Sequence, residues 1–324
     1  MSSSKLLQFF PTPLFLDTPC AGVSISDTHV RMIQFEKDSA GGLKIKKFAE
    51  KELPLGAIVA GRLNNRDEII HTLEALKKET GIHTIRVSIP EEKAYLFETD
   101  IAYVTQKEVR NAIEFKLEEN VPLPADQILF DYAIVPEEGT VETLRVVVSA
   151  LPSKFVDIYM DLIHSAGLKA YSLEIESQAI ARALLTFPEK QSHLIIQFGT
   201  QKASLYIISR GIVRFTSTIH LESDWQTNPH DIVAEARKIM SFWETNTDGV
   251  AKESNVLSGV LVCGHGFSES VASEFSSLLN MDVHLGNVWQ NVCDIQKVLP
   301  NISFIDSLKY ASAVGLALPS EFLI

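Results

Sequence analysis

Two stretches of the chain repeat one theme: Ala21 to Phe35 (AGVSISDTHVRMIQF) and His193 to Ile219 (HLIIQFGTQKASLYIISRGIVRFTSTI). Each opens with an apolar, β-branched run, breaks at a short polar turn and resumes in a second apolar run, the pattern of two strands joined by a tight turn. Laying Ser24-Ile25-Ser26 over Gln197-Phe198-Gly199 brings the units into register at an offset of 173 residues. A theme that returns at such a distance points to an internal duplication, and so to an α/β fold with two similar halves.

The first unit continues through a turn at Asp38 to Gly42 into a third strand, Leu43 to Phe48, whose interleaved Lys44, Lys46 and Lys47 read as a solvated sheet edge rather than a basic patch. Asn65 to Thr80 carries Ile69, Ile70, Leu73 and Leu76 on one face, with Asn at its start and Gly81 at its end, a capped amphipathic helix. A strand follows at Ile85 to Ile89. The next block has another rhythm: a strand at Ala94 to Phe97, a capping box at Thr105 to Glu108, a helix that stops before Pro122 and Pro124, and strands at Ile128 to Val135 and Thr143 to Ala150. Pro152-Ser153 then starts a helix closed by Gly167, and a strand (Lys169 to Leu173) and a short helix (Gln178 to Leu185) complete the first half. The polar linker Phe187 to Lys190 marks the boundary. In the second half a helix at Asp231 to Thr245 and a buried strand at Val256 to Cys263 lead into the turn Gly264-His265-Gly266-Phe267, a helix through Leu279, a strand at Met281 to Leu285 and a helix near Leu308 to Leu318.

Composition narrows the function classes. The 324 residues carry a formal charge of −12 and a pI near 5.3, with no long basic run, so a generic nucleic-acid or anionic-lipid surface is disfavoured. At 46% apolar and 22% charged residues the chain is globular. Cys20, Cys263 and Cys293 have neither disulfide-framework nor zinc-cluster spacing, which fits a reducing compartment. Lys5 to Leu16 (KLLQFFPTPLFL) is apolar but short and broken by Pro11 and Pro13, so it is read as a packing arm or platform contact and not as a span or secretory signal. No G-x-x-x-x-G-K, H-E-x-x-H or G-x-S-x-G is present. Gly264-His265-Gly266 only half matches a dinucleotide fingerprint, because Glu269 stands where the third glycine belongs.

The order of elements resembles the actin-like (ribonuclease H-like) ATPase superfamily. Within it the run Glu108 to Val135 (EVRNAIEFKLEENVPLPADQILFDYAIV), continued by VVVSALPSKFVDIYMDLIHSAGLKAYSLEIESQAIARAL, is similar to the PilM family of type IV pilus inner-membrane platform proteins. The resemblance implies a two-domain fold: residues 1–90 as an arm and first actin-like subdomain, 91–172 as an inserted strand-helix-strand-strand subdomain like that of FtsA, 173–192 as return helix and linker, and 193–324 as the second domain with a shortened subdomain IIB. It also implies capture of the N-terminal cytoplasmic peptide of a single-pass, PilN-like membrane protein near Ile85 to Phe97 and the inserted sheet. The pilus motor ATPase and platform proteins would be further partners, self-association is left open, and the protein would sit on the inner face of the cytoplasmic membrane.

Two departures bear on chemistry. Family phosphate loops carry aspartates that hold Mg²⁺ through water, whereas here Ser24 and Gln197 stand in those places. Only a short polar connector, His220 to Asp231, replaces one wall of the nucleotide cleft. The residues matching the family's nucleotide site, Ser24, Ser26, Asp27, Thr28, Gln197, Gly199, Thr200, Gly264, Gly266 and Phe267, are therefore expected to form a vestigial site. It would take ATP or ADP weakly or not at all and Mg²⁺ poorly, in a pseudo-ATPase scaffold with no catalytic residue. The alternatives are an active actin-fold ATPase or kinase working through Asp27, or a type II secretion or cell-division relative of the same fold.

Overall fold

The computed structural model describes residues 20–37, 42–136, 142–221, 225–226, 229–245, 256–293 and 300–319. The arm before Cys20 and the tail after Pro319 lie outside the described residues.

In the first half, strands β1 (Ala21–Ile25), β2 (His29–Lys37) and β3 (Leu43–Glu52) form an antiparallel meander, followed by a two-residue hairpin, β4 (Ile58–Val59) and β5 (Arg62–Leu63). Helix α1 (Arg66–Thr80) begins where Asn65 Oδ1 accepts the Glu68 N–H and ends where the Gly81 N–H reaches Lys77 O at 2.7 Å. It returns the chain to β6 (Thr84–Ile89), parallel to β1. After β6 come β7 (Tyr95–Ala102), α2 (Gln106–Asn120), β8 (Ile128–Ile134) and β9 (Thr143–Pro152). These strands make a separate antiparallel sheet in the order β7-β9-β8. Helix α2 starts at the capping box, with the Thr105 N–H donating to Glu108 Oε2, and buries Val109, Ile113 and Leu117 on that sheet.

Helix α3 (Ser153–Ser165) and strand β10 (Lys169–Ile175) correct the expected boundary at residue 172. β10 pairs parallel with β6, Ala170 opposite Ile85 and Ile175 opposite Ile89, so it is the fifth strand of the first sheet. Tyr159, Leu162 and Ile163 of α3 share a core with Ile69, Leu73 and Val87. The insertion is thus β7 through β9, and α3–β10 belongs to the first half, closed by helix α4 (Glu176–Leu184).

The second half repeats the plan. β11 (Ser192–Phe198), β12 (Lys202–Ser209) and β13 (Ile212–His220) form the meander, α5 (His230–Thr245) leads to β14 (Leu257–Gly264), α6 (Glu269–Leu279) leads to β15 (Val283–Leu285), and helix α7 (Ala311–Ala317) closes it. The sheet orders β10-β6-β1-β2-β3 and β15-β14-β11-β12-β13 superpose strand for strand. Registers agree as well: Ile25 faces Val30 as Phe198 faces Ala203, both pairs related by the 173-residue offset.

Alternation along the central strands explains how the layers meet. Val23 and Ile25 point into the outer core of the first half, Leu194, Ile196 and Phe198 into that of the second. The opposite face of β11 carries Ile195, which joins α4, α7, Ile33 and Phe35 in the core between the halves. There α7 lies so close to α4 that a Cβ on Gly315 would stand 1.7 Å from Ala179 O.

Candidate functional site

The two strand turns face each other across the cleft between the halves. Each is closed by the same backbone bond, Ser26 N–H to His29 O at 2.9 Å and Gly199 N–H to Lys202 O at 2.8 Å. At their tips the Thr28 and Thr200 hydroxyls lie 2.9 Å apart. The cleft is lined by Ser24, Ser26, Asp27, Thr28, Gln197, Gly199, Thr200 and Gly264, so eight of the ten residues expected from sequence come together. The cavity left among them has a volume of about 30 Å³, room for one or two waters.

Gly266 and Phe267 are placed elsewhere. Phe267 is buried in the aromatic core of the second half, its ring 4.7 Å from Phe198 and 5.5 Å from Phe275. Gly266 packs beneath the connector between β13 and α5, where Gln226 Nε2 donates to Gly266 O at 2.7 Å. The connector is not purely polar, as the sequence suggested. Trp225 is buried and stacks on Phe198 at 4.5 Å, so an indole covers the turn that was expected to face adenosine.

The residues standing in the aspartate positions are engaged internally. Gln197 donates from Nε2 to Glu176 Oε1 at 2.9 Å and accepts the Tyr206 hydroxyl on Oε1 at 2.7 Å. Ser24 is buried and lies opposite Arg31 in the β1–β2 ladder.

Sequence reasoning missed the charged groups that organise the cleft. Lys202 Nζ lies 2.5 Å from Glu92 Oε1 and 3.7 Å from Asp27 Oδ2. Burial raises the pKa of Asp27 against the lowering pull of Lys202. Burial by itself would lower that of Lys202, but Glu92, Asp27 and Glu176 outweigh it and raise it. Burial also raises Glu176, and pushes Glu91 up to about 8, where it is held by the Ser177 hydroxyl and N–H at the start of α4.

At the other end of the cleft Arg31 donates from Nη2 to Glu50 Oε1 at 2.6 Å and to His265 Nε2 at 2.5 Å. His265 is held neutral, its pKa lowered to about 3 by burial and by the Arg31 and His29 beside it. His29, Glu50 and His265 are close enough to share a metal ion, but the guanidinium already lies between the carboxylate and the second imidazole. The only signal for these residues in the sequence was alternation, which puts Arg31 and Lys202 on the cleft face of their strands.

A second cavity, about 120 Å³, lies beside the insertion. Tyr132 and Ala133 of β8 and Val147 of β9 form one wall, and Gln178 of α4, Phe187 and Ile212 the other. It adjoins the inserted sheet and α4, and Ile85 to Phe97, near which the sequence reading placed a peptide groove, do not line it. Among the described residues no helix is long and apolar enough to cross a membrane.

Comparison with known proteins places this architecture. No curated protein matches the chain in sequence. Among solved structures it is similar to that of a PilM–PilN type IV pilus biogenesis complex, with a TM-score of 0.77 at 16% identity over 93% of this chain and 98% of that one. It is also similar to the ethanolamine utilization protein EutJ from Carboxydothermus hydrogenoformans, with a TM-score of 0.53 at 12% identity over 95% of this chain and 91% of that one. The fold shared with these proteins is the actin-like one. The sequence profile of the type IV pilus assembly protein PilM matches residues 22–220, more than half of the chain. The chain belongs to the PilM family of type IV pilus assembly proteins.

Proposed function

We propose that the protein is a type IV pilus assembly scaffold that captures the N-terminal cytoplasmic peptide of a PilN-like, single-pass membrane partner and performs no phosphoryl transfer. The observation that carries the reading is the groove between the insertion and α4. It is concave and part apolar, with Ala133 and Ala181 leaving room for a partner's side chains. Strand β8 is the edge of its sheet, so next to the groove it offers backbone groups free of strand partners among the described residues. Extended peptides are held by such groups. The likeness to a solved PilM–PilN complex supports the same class of partner. Recruitment through a peptide needs neither a membrane-crossing helix nor a cationic surface, in keeping with the net charge of −12, and would hold the protein at the inner face of the cytoplasmic membrane, next to the platform and the motor ATPase.

The same reading makes the nucleotide cleft vestigial. Gln197 has both ends of its amide committed and Trp225 covers the adenosine turn. Without carboxylates at 24 and 197, a metal-bound phosphate lacks its usual anchors. Titration of the full chain with the partner's N-terminal peptide tests the reading. Saturable binding is expected, lost in Ala133→Trp, which fills the groove, while that variant still unfolds cooperatively. Absence of binding by the unmodified chain, or undiminished binding by Ala133→Trp, would contradict it.

A further inference from the structure

We propose that His29, Glu50 and His265 form a binding site for a divalent transition metal, with zinc as the best fit, and that the bound ion clasps the two halves of the protein at the cleft. Each of the three offers one ligand atom, and these atoms all lie within 4.8 Å of one another. His29 stands on β2 and Glu50 on β3, adjacent strands of the first half. His265 comes from the second half, in the turn after β14, where its backbone N–H is tied to Phe198 O at 2.7 Å. Two imidazoles and one carboxylate are a donor set that zinc accepts, with a fourth position left for water.

The spacing is that of ligands around a shared ion. His29 Nε2 lies 3.6 Å from Glu50 Oε1, too far for a hydrogen bond and near the ~3.4 Å that separates tetrahedral ligands bonded at about 2.0–2.1 Å. The other ring nitrogen, Nδ1, is 2.8 Å from the Thr28 hydroxyl, a partner that orients the ring and leaves Nε2 to the metal. Arg31 stands in the ion's place: its Nη2 contacts both Glu50 and His265, while its Nε is buried with no hydrogen-bond partner. Guanidinium and metal therefore exclude one another, and binding draws Arg31 from between its two contacts. The unpaired Nε is a cost of the metal-free arrangement that this exchange relieves. Peptide capture neither requires nor excludes the site.

Zinc binding is to be measured by calorimetry on the full chain, His29→Gln, His265→Gln and Arg31→Met, with the visible absorption of Co²⁺ as the probe of coordination. The unmodified chain should bind one Zn²⁺ saturably, show the intense bands of tetrahedral Co²⁺ and unfold at a higher temperature with the metal. His29→Gln and His265→Gln, substitutions in opposite halves, should each weaken binding about tenfold or more, since even the outer partners of a metal ligand are worth that much. Arg31→Met, which removes the competing cation, should bind more tightly than the unmodified chain. Absence of zinc binding by the unmodified chain, undiminished binding by either histidine variant, or an Arg31→Met that binds no more tightly overturns the assignment. Where a variant fails to unfold cooperatively, the others carry the test. Should all three fail, tetrahedral Co²⁺ bands in the unmodified chain support the site and their absence overturns it.

Discussion

The hydroxyls of Thr28 and Thr200 are 2.9 Å apart although 172 residues separate them in the chain. Each sits on the first turn of its own half, so the duplicated loops meet tip to tip. Lys202 with Asp27, and Arg31 with His265, bridge the halves on either side of the contact.

On the proposed function, an acid placed at position 197 should not confer ATP turnover. Gln197→Asp would point a carboxylate at Glu176 and abandon the Tyr206 hydroxyl, leaving buried groups without partners. A loss of about 1–3 kcal/mol is expected, read from urea unfolding, with no Mg²⁺-dependent phosphate release from ATP. Turnover by this variant would argue for a functional cleft.

The contact between α4 and α7 sets a steric limit. Gly315→Ala gains about 1 kcal/mol in helix propensity, but its methyl would stand 1.7 Å from Ala179 O. Overpacking typically costs about 1–3 kcal/mol, so the variant should unfold at lower denaturant than the unmodified chain.

Two buried groups shape the pH profile in opposite directions. Glu91, pushed up to about 8 by burial, keeps a proton that the unfolded chain releases near its ordinary 4.5, so stability falls as pH rises from there to about 8. His265, lowered to about 3 mainly by burial, refuses a proton that the unfolded chain accepts below 6.5, so stability falls as pH drops from 6.5 towards 3. Melting temperature against pH should be level between about 4.5 and 6.5, where the two slopes oppose each other, and fall on either side; Glu91→Gln should abolish the fall above 6.5 and leave the acid limb rising up to 6.5.

Trp225 packs over the turn that the sequence reading expected to face adenosine. Trp225→Ala removes a buried indole stacked on Phe198 and should cost about 3 kcal/mol or more, measured by thermal unfolding. It should not create ATP affinity, because the phosphate end of the cleft remains closed.

What the sequence disclosed depended on how local the chemistry is. The caps at Asn65, Gly81 and Thr105 are written in adjacent residues, and the structure forms each bond they imply. The duplication was legible because both loops keep the same length, and the Ser26 and Gly199 turn bonds carry the same offset. The allegiance of β10 was not legible, since a short alternating strand looks the same whichever sheet it joins and its pairing with β6 spans an entire inserted sheet. Glu92 and Lys202 are 110 residues apart, and no spacing rule connects them before the chain is folded. Trp225 did leave a trace, one large aromatic in an otherwise polar connector, whose burial the polarity of its neighbours concealed.

Peptide capture is tested most directly by calorimetric titration of the full chain with the N-terminal cytoplasmic peptide of the proposed PilN-like partner, performed with and without ATP and Mg²⁺. Saturable binding of one peptide per chain is expected, with the same affinity in both conditions and no heat of ATP binding in a separate titration. Peptide binding that requires ATP and Mg²⁺, or tight metal-dependent ATP binding with no affinity for the peptide, would contradict it.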